Sequence, residues 1–514
     1  MFSADCRLHS GESGLTGSRD AKLRVAVLGG GITGLAAAYT LARARERGAP
    51  IEEFLIEGSS RLGGAILTEQ VEGFLVEAGP DSFLAEKPEA ASLCRELELG
   101  ESLIGSNDRE RRTYILHRGR LVPLPDGLML LAPTRLWPMV TTPLLPLASK
   151  VALAAEWFTR PGSGSAKLAS EDSDESVASF VRRHFGDAML ENIADPLLAG
   201  IFGGDTARLS VRSVLPRFRE MEQKYGSLTR AAMEARKQGS KGAAHTFRSG
   251  EPAPLFMTLK EGLGTLVGRL SERLAGRHLR LKERVASIEP LTAADRAATG
   301  SIAPGYKIRC EGGSVYQADA VILALPAHQC GQILACFDST LAATLASIRY
   351  SSGLTVSLAY DAAASPQIPR GFGFLAPRKE KRRLVACTFM HQKFSRRAPE
   401  GCSLLRCFLG GTRDPGVLEL SDNEIVTMAG QELAAILSLS AEPQFIRIYR
   451  WPGSMPQYEL GHAARVAAIE QQIEKHPGVF VAGNAYSGVG ISDCIRAGKA
   501  AAERAQEFLA AATT

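Results

Sequence analysis

A glycine-rich turn between an apolar strand and a helix constrains this chain more than any other feature. Arg24-Val-Ala-Val-Leu28 reads as a short buried strand, Gly29-Gly-Gly-Ile-Thr-Gly34 follows at once, and an Ala- and Leu-rich helix runs to about Arg47. A second apolar strand, Glu53-Phe-Leu-Ile-Glu57, comes next. Strand, turn, helix and strand in that order begin a βαβ unit of a parallel sheet. Within the turn, Gly29, Gly31 and Gly34 have G-x-G-x-x-G spacing. The first glycine permits the tight turn, the second lets backbone approach a pyrophosphate, and the third lets the helix pack closely on the strand. Gly30, Ile32 and Thr33 complete the loop, and the helix start offers N–H groups to phosphate oxygens. Glu57, ending the second strand, is placed to accept hydrogen bonds from adenosine ribose hydroxyls. It lies further on than the usual spacing of about 20 residues, because the helix ends in a long basic stretch, Arg43 to Pro50.

Two later turns favour FAD over NAD. In Arg61-Leu-Gly-Gly64, the glycines let the chain pass beside the phosphates, and Arg61 either binds them or braces the turn. Gly79-Pro80-Asp81-Ser82 then falls on the flavin side. Near the C-terminus, a strand at Gly478-Val-Phe-Val-Ala-Gly483 precedes Gly488-Val489-Gly490-Ile491-Ser-Asp493, which opens a helix from about Ser492 to Leu509. The positive end of such a helix can lie near a flavin ring. Trp451, in Arg450-Trp-Pro, is a candidate to pack beside that ring or in the core. The chain has no H-E-x-x-H and no C-x-x-C, so no metal site is expected. A flavin carries its own hydride chemistry, so no side-chain acid or base is expected to be catalytic.

Nucleotide-type features stand at both ends with unlike sequence between, so the expected architecture is a discontinuous cofactor domain of mixed α/β class with an insertion. The 514 residues suffice for two or three domains. From about Pro123 to Met221 the chain is helical in character, and from Met221 to Pro254 it reads as a basic, exposed loop or hinge. A net charge of +5 is too small on this length to argue for nucleic acid. Nine cysteines, an odd number, read as reduced thiols in a reducing compartment. Met1 to Asp20 lacks the apolar run of a secretory signal and reads as a mobile tail. Prolines 133, 138, 143 and 146 interrupt the apolar stretch Leu128 to Phe158, which argues against a membrane span. Trp137 and Trp157 leave room for a monotopic membrane contact.

Together these motifs resemble the flavin amine oxidase superfamily, and within it the oxygen-dependent porphyrinogen oxidases of haem synthesis. Glu77-Ala-Gly-Pro-Asp-Ser-Phe-Leu84, Asp195-Pro-Leu-Leu-Ala-Gly200, Arg450-Trp-Pro-Gly-Ser-Met-Pro-Gln-Tyr458 and Gly488 to Lys499 match that family's signatures in its order. The resemblance covers nearly the whole chain after Lys22. It implies a Rossmann-like FAD domain (22–85, 255–328 and 470–512), a substrate domain (86–112 and 329–469) and a helical, membrane-contacting domain (113–254). It implies six-electron oxidation of a porphyrinogen, with dioxygen as acceptor and hydrogen peroxide released. Gly29 to Gly34, Glu57, Gly58, Arg61, Gly64, Ala65, Gly79 to Ser82, Val285, Trp451, Val489, Gly490 and Ile491 are the FAD residues so implied. Leu354, Leu375 and Phe389 resemble the apolar residues that hold the macrocycle, Gly200 the backbone turn near its pyrroles, and Lys87 a lysine shared with the Gram-positive members, which is expected to help recognise substrate carboxylates. Thr113, after Arg111 and Arg112, stands where the plant and animal enzymes carry a propionate-binding arginine. Gram-positive coproporphyrinogen oxidases lack that arginine too, so coproporphyrinogen III is the expected substrate, ahead of protoporphyrinogen IX. A cytoplasmic enzyme, with other haem-pathway enzymes or the inner membrane face as partners, fits this picture. The competing readings are an amine oxidase, a carotenoid desaturase, or a non-catalytic porphyrin carrier. Cys494 lies where a covalent flavin cysteine would be sought, but its surroundings match the porphyrinogen oxidases.

Overall fold

The computed structural model describes residues 22–160, 174–239, 254–276, 278–295 and 304–512. The expected tail, Cys6 and residues 240–253 of the expected basic loop lie outside them.

The first strand, Leu23–Leu28, is the middle of a five-stranded sheet whose described pairings are all parallel. Its neighbours are Ile51–Glu57 on one side and Ala320–Leu323 on the other; Leu279–Leu281 and Val479–Val481 form the edges. Successive side chains of a strand point to opposite faces, and here both faces are covered. Leu23, Val25 and Val27 meet the helices Ile32–Glu46 and Ile491–Ala512. Ala26 and Leu28 meet a three-stranded antiparallel sheet and the helices Ala327–Leu334 and Ser339–Ala346 on the other side. That is why the strand is apolar from Val25 to Leu28 rather than alternating, with Arg24 exposed near its start.

The first and last helices touch through small residues. A Cβ on Gly498 would lie 2.2 Å from the Thr33 carbonyl oxygen, so only glycine allows this approach. The final helix thus holds the turn of helix that follows Gly31.

A second, seven-stranded sheet carries the strands Phe445–Pro456, Tyr350–Tyr360, Ser403–Gly410, Leu384–Phe389, Gly373–Leu375, Thr113–His117 and Arg120–Pro123, in that spatial order. Its back is covered by the helix Asp422–Leu437, through Ile425, Ala429, Leu433 and Ile436. Ser421 and Glu424 form a capping box that fixes where this helix begins.

The third unit is helical and encloses Leu144, Leu153, Phe180, Phe185, Ile193, Leu198 and Phe218. Buried Glu156 caps one of its helices, accepting from the backbone N–H groups of Leu228 and Thr229. Pro196 has no N–H for the Asn192 carbonyl, and the backbone before it, Leu190–Ala194, widens to a π turn. The following helix, Asp195–Phe202, ends at Gly203 in the left-handed conformation (φ 56°).

Three expectations are corrected. Residues 86–105 pack into the nucleotide-sheet core through Ala90, Leu93, Cys94 and Leu103, not into the substrate sheet. Thr113–Pro123 belongs to the seven-stranded sheet, not to the helical unit. Much of the expected loop after Met221 is helix, to Tyr225 and again over Leu228–Gly239, because its basic residues form the solvent face of amphipathic turns.

Gly498→Ala should destabilise the protein by about 1–3 kcal/mol through overpacking, read as a fall in the thermal midpoint. Gly268→Ala, where a Cβ meets nothing within 4 Å, should leave it unchanged or raised.

Candidate cofactor and substrate site

Three turns converge at the carboxyl ends of the parallel strands, the edge where open α/β sheets bind ligands. Gly29 (φ 109°) cannot carry a side chain, since its Cβ would lie 2.5 Å from the Ala324 carbonyl oxygen. Gly34 is equally obligatory: its Cβ would lie 1.9 Å from Gly29 O. Gly31 is different. It caps the helix with φ −69°, which any residue can adopt, and a Cβ there would meet nothing within 4 Å. Protein packing therefore demands Gly29 and Gly34, while Gly31 borders open space. That space faces the start of the helix Ile32–Glu46, whose first turn has no side-chain cap and no acidic residue. A cradle of this kind suits a pyrophosphate.

Glu57 sits beside the loop, accepting from Gly30 N and Ser59 N at 2.7 Å each. Gly58 packs near Arg284, and Val285 follows it at the same sheet end. The Arg61 turn leans directly on the first loop: Gly63 N donates to Gly30 O at 2.8 Å. Arg61 braces this turn, donating to the carbonyls of Leu62, Gly64 and Ile66. Of its two sequence readings, bracing is the one drawn. Ala65 and Gly79 are in contact, since a Cβ on Gly79 would lie 1.8 Å from Ala65 O.

The turn Gly79–Ser82 is joined to the seven-stranded sheet by buried polar groups. Thr355 Oγ1 and Trp451 Nε1 both donate to Ala78 O, at 2.8 and 3.2 Å. Arg406 donates to Gly79 O. Lys393 Nζ lies 2.9 Å from an Asp81 carboxylate oxygen and 3.3 Å from Ser82 Oγ. Burial pushes the Asp81 carboxyl up, but Lys393 and Arg406 outweigh it and hold it below the ordinary carboxylate range. Burial raises Glu77, against hydrogen bonds from Thr68 and Leu263. The turn at Gly488 is fixed from another direction: Gly488 N donates to the Tyr458 hydroxyl, which donates to Asn484 O.

Strand alternation decides which residues face this site. Gly353, Thr355 and Ser357 pair with Trp451, Tyr449 and Arg447, and share the front face with Arg406, Phe408, Ala386 and Leu375. Leu354 and Phe389 lie on the other face, buried with Phe374 against the Asp422–Leu437 helix. As walls of a substrate pocket beside the flavin they are corrected: period two puts them behind the sheet. Leu375 does face forward, and a Cβ on Gly200 would lie 3.3 Å from it. Val489, of the C-terminal glycine turn, packs on the same helical cluster as Leu375. Leu375, Gly200, Ile115 and Val489 thus meet where the three units join. Gly490 and Ile491 lead from Val489 into the last helix. Thr113 shares the front face, paired with Gly373.

Lys87 is not a free cation. Its Nζ lies 2.6 Å from buried Asp493, at the start of the last helix, so it ties two elements together. Arg406, Lys393 and Tyr458 escaped the sequence reading. One signal was available for Arg406: it is the single charge within the otherwise apolar strand Ser403-Leu-Leu-Arg-Cys-Phe-Leu-Gly410.

Flavin containing amine oxidoreductases match the chain over residues 32–506. The coproporphyrinogen III oxidase of Bacillus subtilis is 34% identical, over 95% of this chain and 99% of its own. That of Staphylococcus aureus is 30% identical, over 93% and 98%. A chloroplastic protoporphyrinogen oxidase of Arabidopsis thaliana is 26% identical, over 94% and 88%. A solved Exiguobacterium structure, provisionally named a protoporphyrinogen oxidase, superposes with a TM-score of 0.80 at 31% identity, covering 94% of this chain and 99% of that one.

Gly31→Val should leave the fold and apoprotein melting intact while abolishing the flavin absorbance of the purified protein. Its side chain would enter space that no protein atom uses. Retained flavin in a folded Gly31→Val protein would move the pyrophosphate elsewhere.

Proposed function

The chain belongs to the family of flavin containing amine oxidoreductases, and from that premise we propose that it oxidises coproporphyrinogen III to coproporphyrin III with FAD. The observation that carries the substrate is end-to-end identity with coproporphyrinogen III oxidases, at 34% over 99% of the Bacillus subtilis protein. Thr113 on the front of the substrate sheet agrees with it, since a propionate-binding arginine would stand there in the plant and animal relatives.

FAD, when bound, supplies the hydride acceptor. Gly31 and the uncapped helix start would hold its pyrophosphate, Glu57 its ribose, and the Ala65–Gly79 contact and Trp451 would border its ring. The residues that meet around Gly200 are apolar, and half-buried Leu375 and Val489, backed by Ile115, suit the apolar surface of a puckered porphyrinogen ring. A porphyrinogen meso carbon is activated by its own pyrroles: three meso carbons give up hydride, two pyrrole nitrogens release protons, and the fourth meso carbon loses a proton by tautomerisation. The chain's task is then orientation, bringing reacting atoms to about 3–3.5 Å. Full conversion removes six electrons and six protons, and three dioxygen molecules taking two of each leave three hydrogen peroxide.

The helical unit carries a second feature. Trp137, Leu147 and Phe158 are each at least 75% exposed, with Val140 and Val151 also solvent-facing. No helix among the described residues is long and apolar enough to cross a membrane. This face supports shallow contact with a lipid surface. Trp137→Ser with Phe158→Ser should abolish cosedimentation with anionic vesicles; wild type that stays in the supernatant would remove the reading.

Side-by-side assays test the substrate. Coproporphyrinogen III should bleach the flavin anaerobically and show a kcat/KM at least about tenfold above protoporphyrinogen IX, a difference of about 1.4 kcal/mol in the barrier. The reverse order would assign the protein to protoporphyrinogen. Binding of either without bleaching would make it a carrier.

A further inference from the structure

Beside the Gly79–Ser82 turn, three buried cations face two carboxylates. Arg397 and Arg406 are 0% and 3% exposed, Lys393 9%, and Glu77 2%; Asp81 is nearly enclosed. Lys393 is satisfied by Asp81 and Ser82 and lies 4.6 Å from the Phe256 ring centroid. Arg397 is held by the carbonyls of Leu259 and Lys260. Arg397, like Arg406, leaves its buried Nε without a partner among the described residues; Arg406 is the one of the three that donates to the backbone of the turn itself. One of its amino groups donates to Gly79 O, another lies 4.0 Å from Asp81, and its buried Nε has no hydrogen-bond partner among the described residues. Of the nearby acids, Glu69 is already shared by Arg447 and Tyr449, and Glu261 lies exposed. Burial pushes the Glu77 carboxyl upward, against the hydrogen bonds it accepts from Thr68 and Leu263.

A buried cation without a full counter-charge costs several kcal/mol. Such an arrangement persists where a ligand's charge completes it. A hydride brings two electrons and one proton, so its acceptor gains one negative charge.

We propose that Arg406 is a positioning residue whose buried charge, set at the Gly79 carbonyl, raises the reduction potential of the bound flavin. This rests on the FAD reading of the Gly79–Ser82 turn. Asp81 works in the opposite sense, offsetting part of the positive charge, and Lys393 holds Asp81 in place.

The test is an anaerobic reference-dye titration of the FAD-loaded protein without substrate. Arg406→Met should lower the equilibrium constant for two-electron reduction at least tenfold, about 30 mV. Arg406→Lys, keeping the charge, should stay within about threefold of wild type, since a tenfold change marks loss of the whole interaction. Asp81→Asn should shift the potential upward. If Arg406→Met does not fold, Arg406→Lys and Asp81→Asn decide the matter with the same expected directions. An unchanged potential in FAD-loaded Arg406→Met, or a fall in Arg406→Lys equal to that in Arg406→Met, overturns the proposal. So does a raised KM for coproporphyrinogen at unchanged potential, which would assign the charge to a substrate carboxylate. Wild type that takes up no FAD would sink the underlying cofactor reading instead.

Discussion

The parallel pairing of Leu23–Leu28 with Ile51–Glu57 and Ala320–Leu323 is the interaction on which the rest depends. Val25–Leu28 pairs in register with Ala320–Leu323, so one ladder joins segments almost three hundred residues apart in the chain. Parallel strands all end on the same edge. That edge therefore gathers Gly29, Glu57 and Ala324 whatever is inserted between the strands. The seven-stranded sheet and the helical unit are long insertions whose placement over this edge is set by local contacts. Chief among these are the hydrogen bonds to Ala78 O and Gly79 O and the Tyr458 hydroxyl at Gly488.

The cofactor end was legible because its signals are local. Four consecutive apolar residues, three spaced glycines and a strand-end carboxylate specify strand, turn and helix with little help from the rest of the chain. The last helix, expected from about Ser492 to Leu509, runs over Ile491–Ala512 for the same reason. The substrate side was less legible. Leu354 and Phe389 were assigned by resemblance, yet alternation along their own strands sets them on the face opposite Thr355 and Thr388. Which face of a strand is inner depends on what covers it, and the covering helix, Asp422–Leu437, lies far along the chain. Leu375 lies on the front face of the sheet because its partners, Ala386 and Phe408, do.

The buried charges show a further limit. Asp81, Lys393 and Arg406 lie in separate segments, and no spacing rule links them. An arginine within an apolar strand marks a place where local preference is violated, and such places tend to be functional or strained. Lys87 shows the converse. A lysine between Glu86 and Pro88 looks solvated, but Asp493, about four hundred residues away, takes its charge. Its partner's position was readable only once the last helix had been docked against the first.

That docking bears on how the protein is made. The first helix leaves the ribosome early, but Gly498, against which Thr33 rests, emerges only after every strand of the seven-stranded sheet. The edge strand Val479–Val481 also arrives late. An incomplete chain can thus assemble its substrate sheet while its nucleotide cradle still lacks one wall. Competence to take up cofactor then waits on the strand Val479–Val481 and the helix that carries Gly498, and a chain cut before them is marked by the lack of it before it meets any substrate.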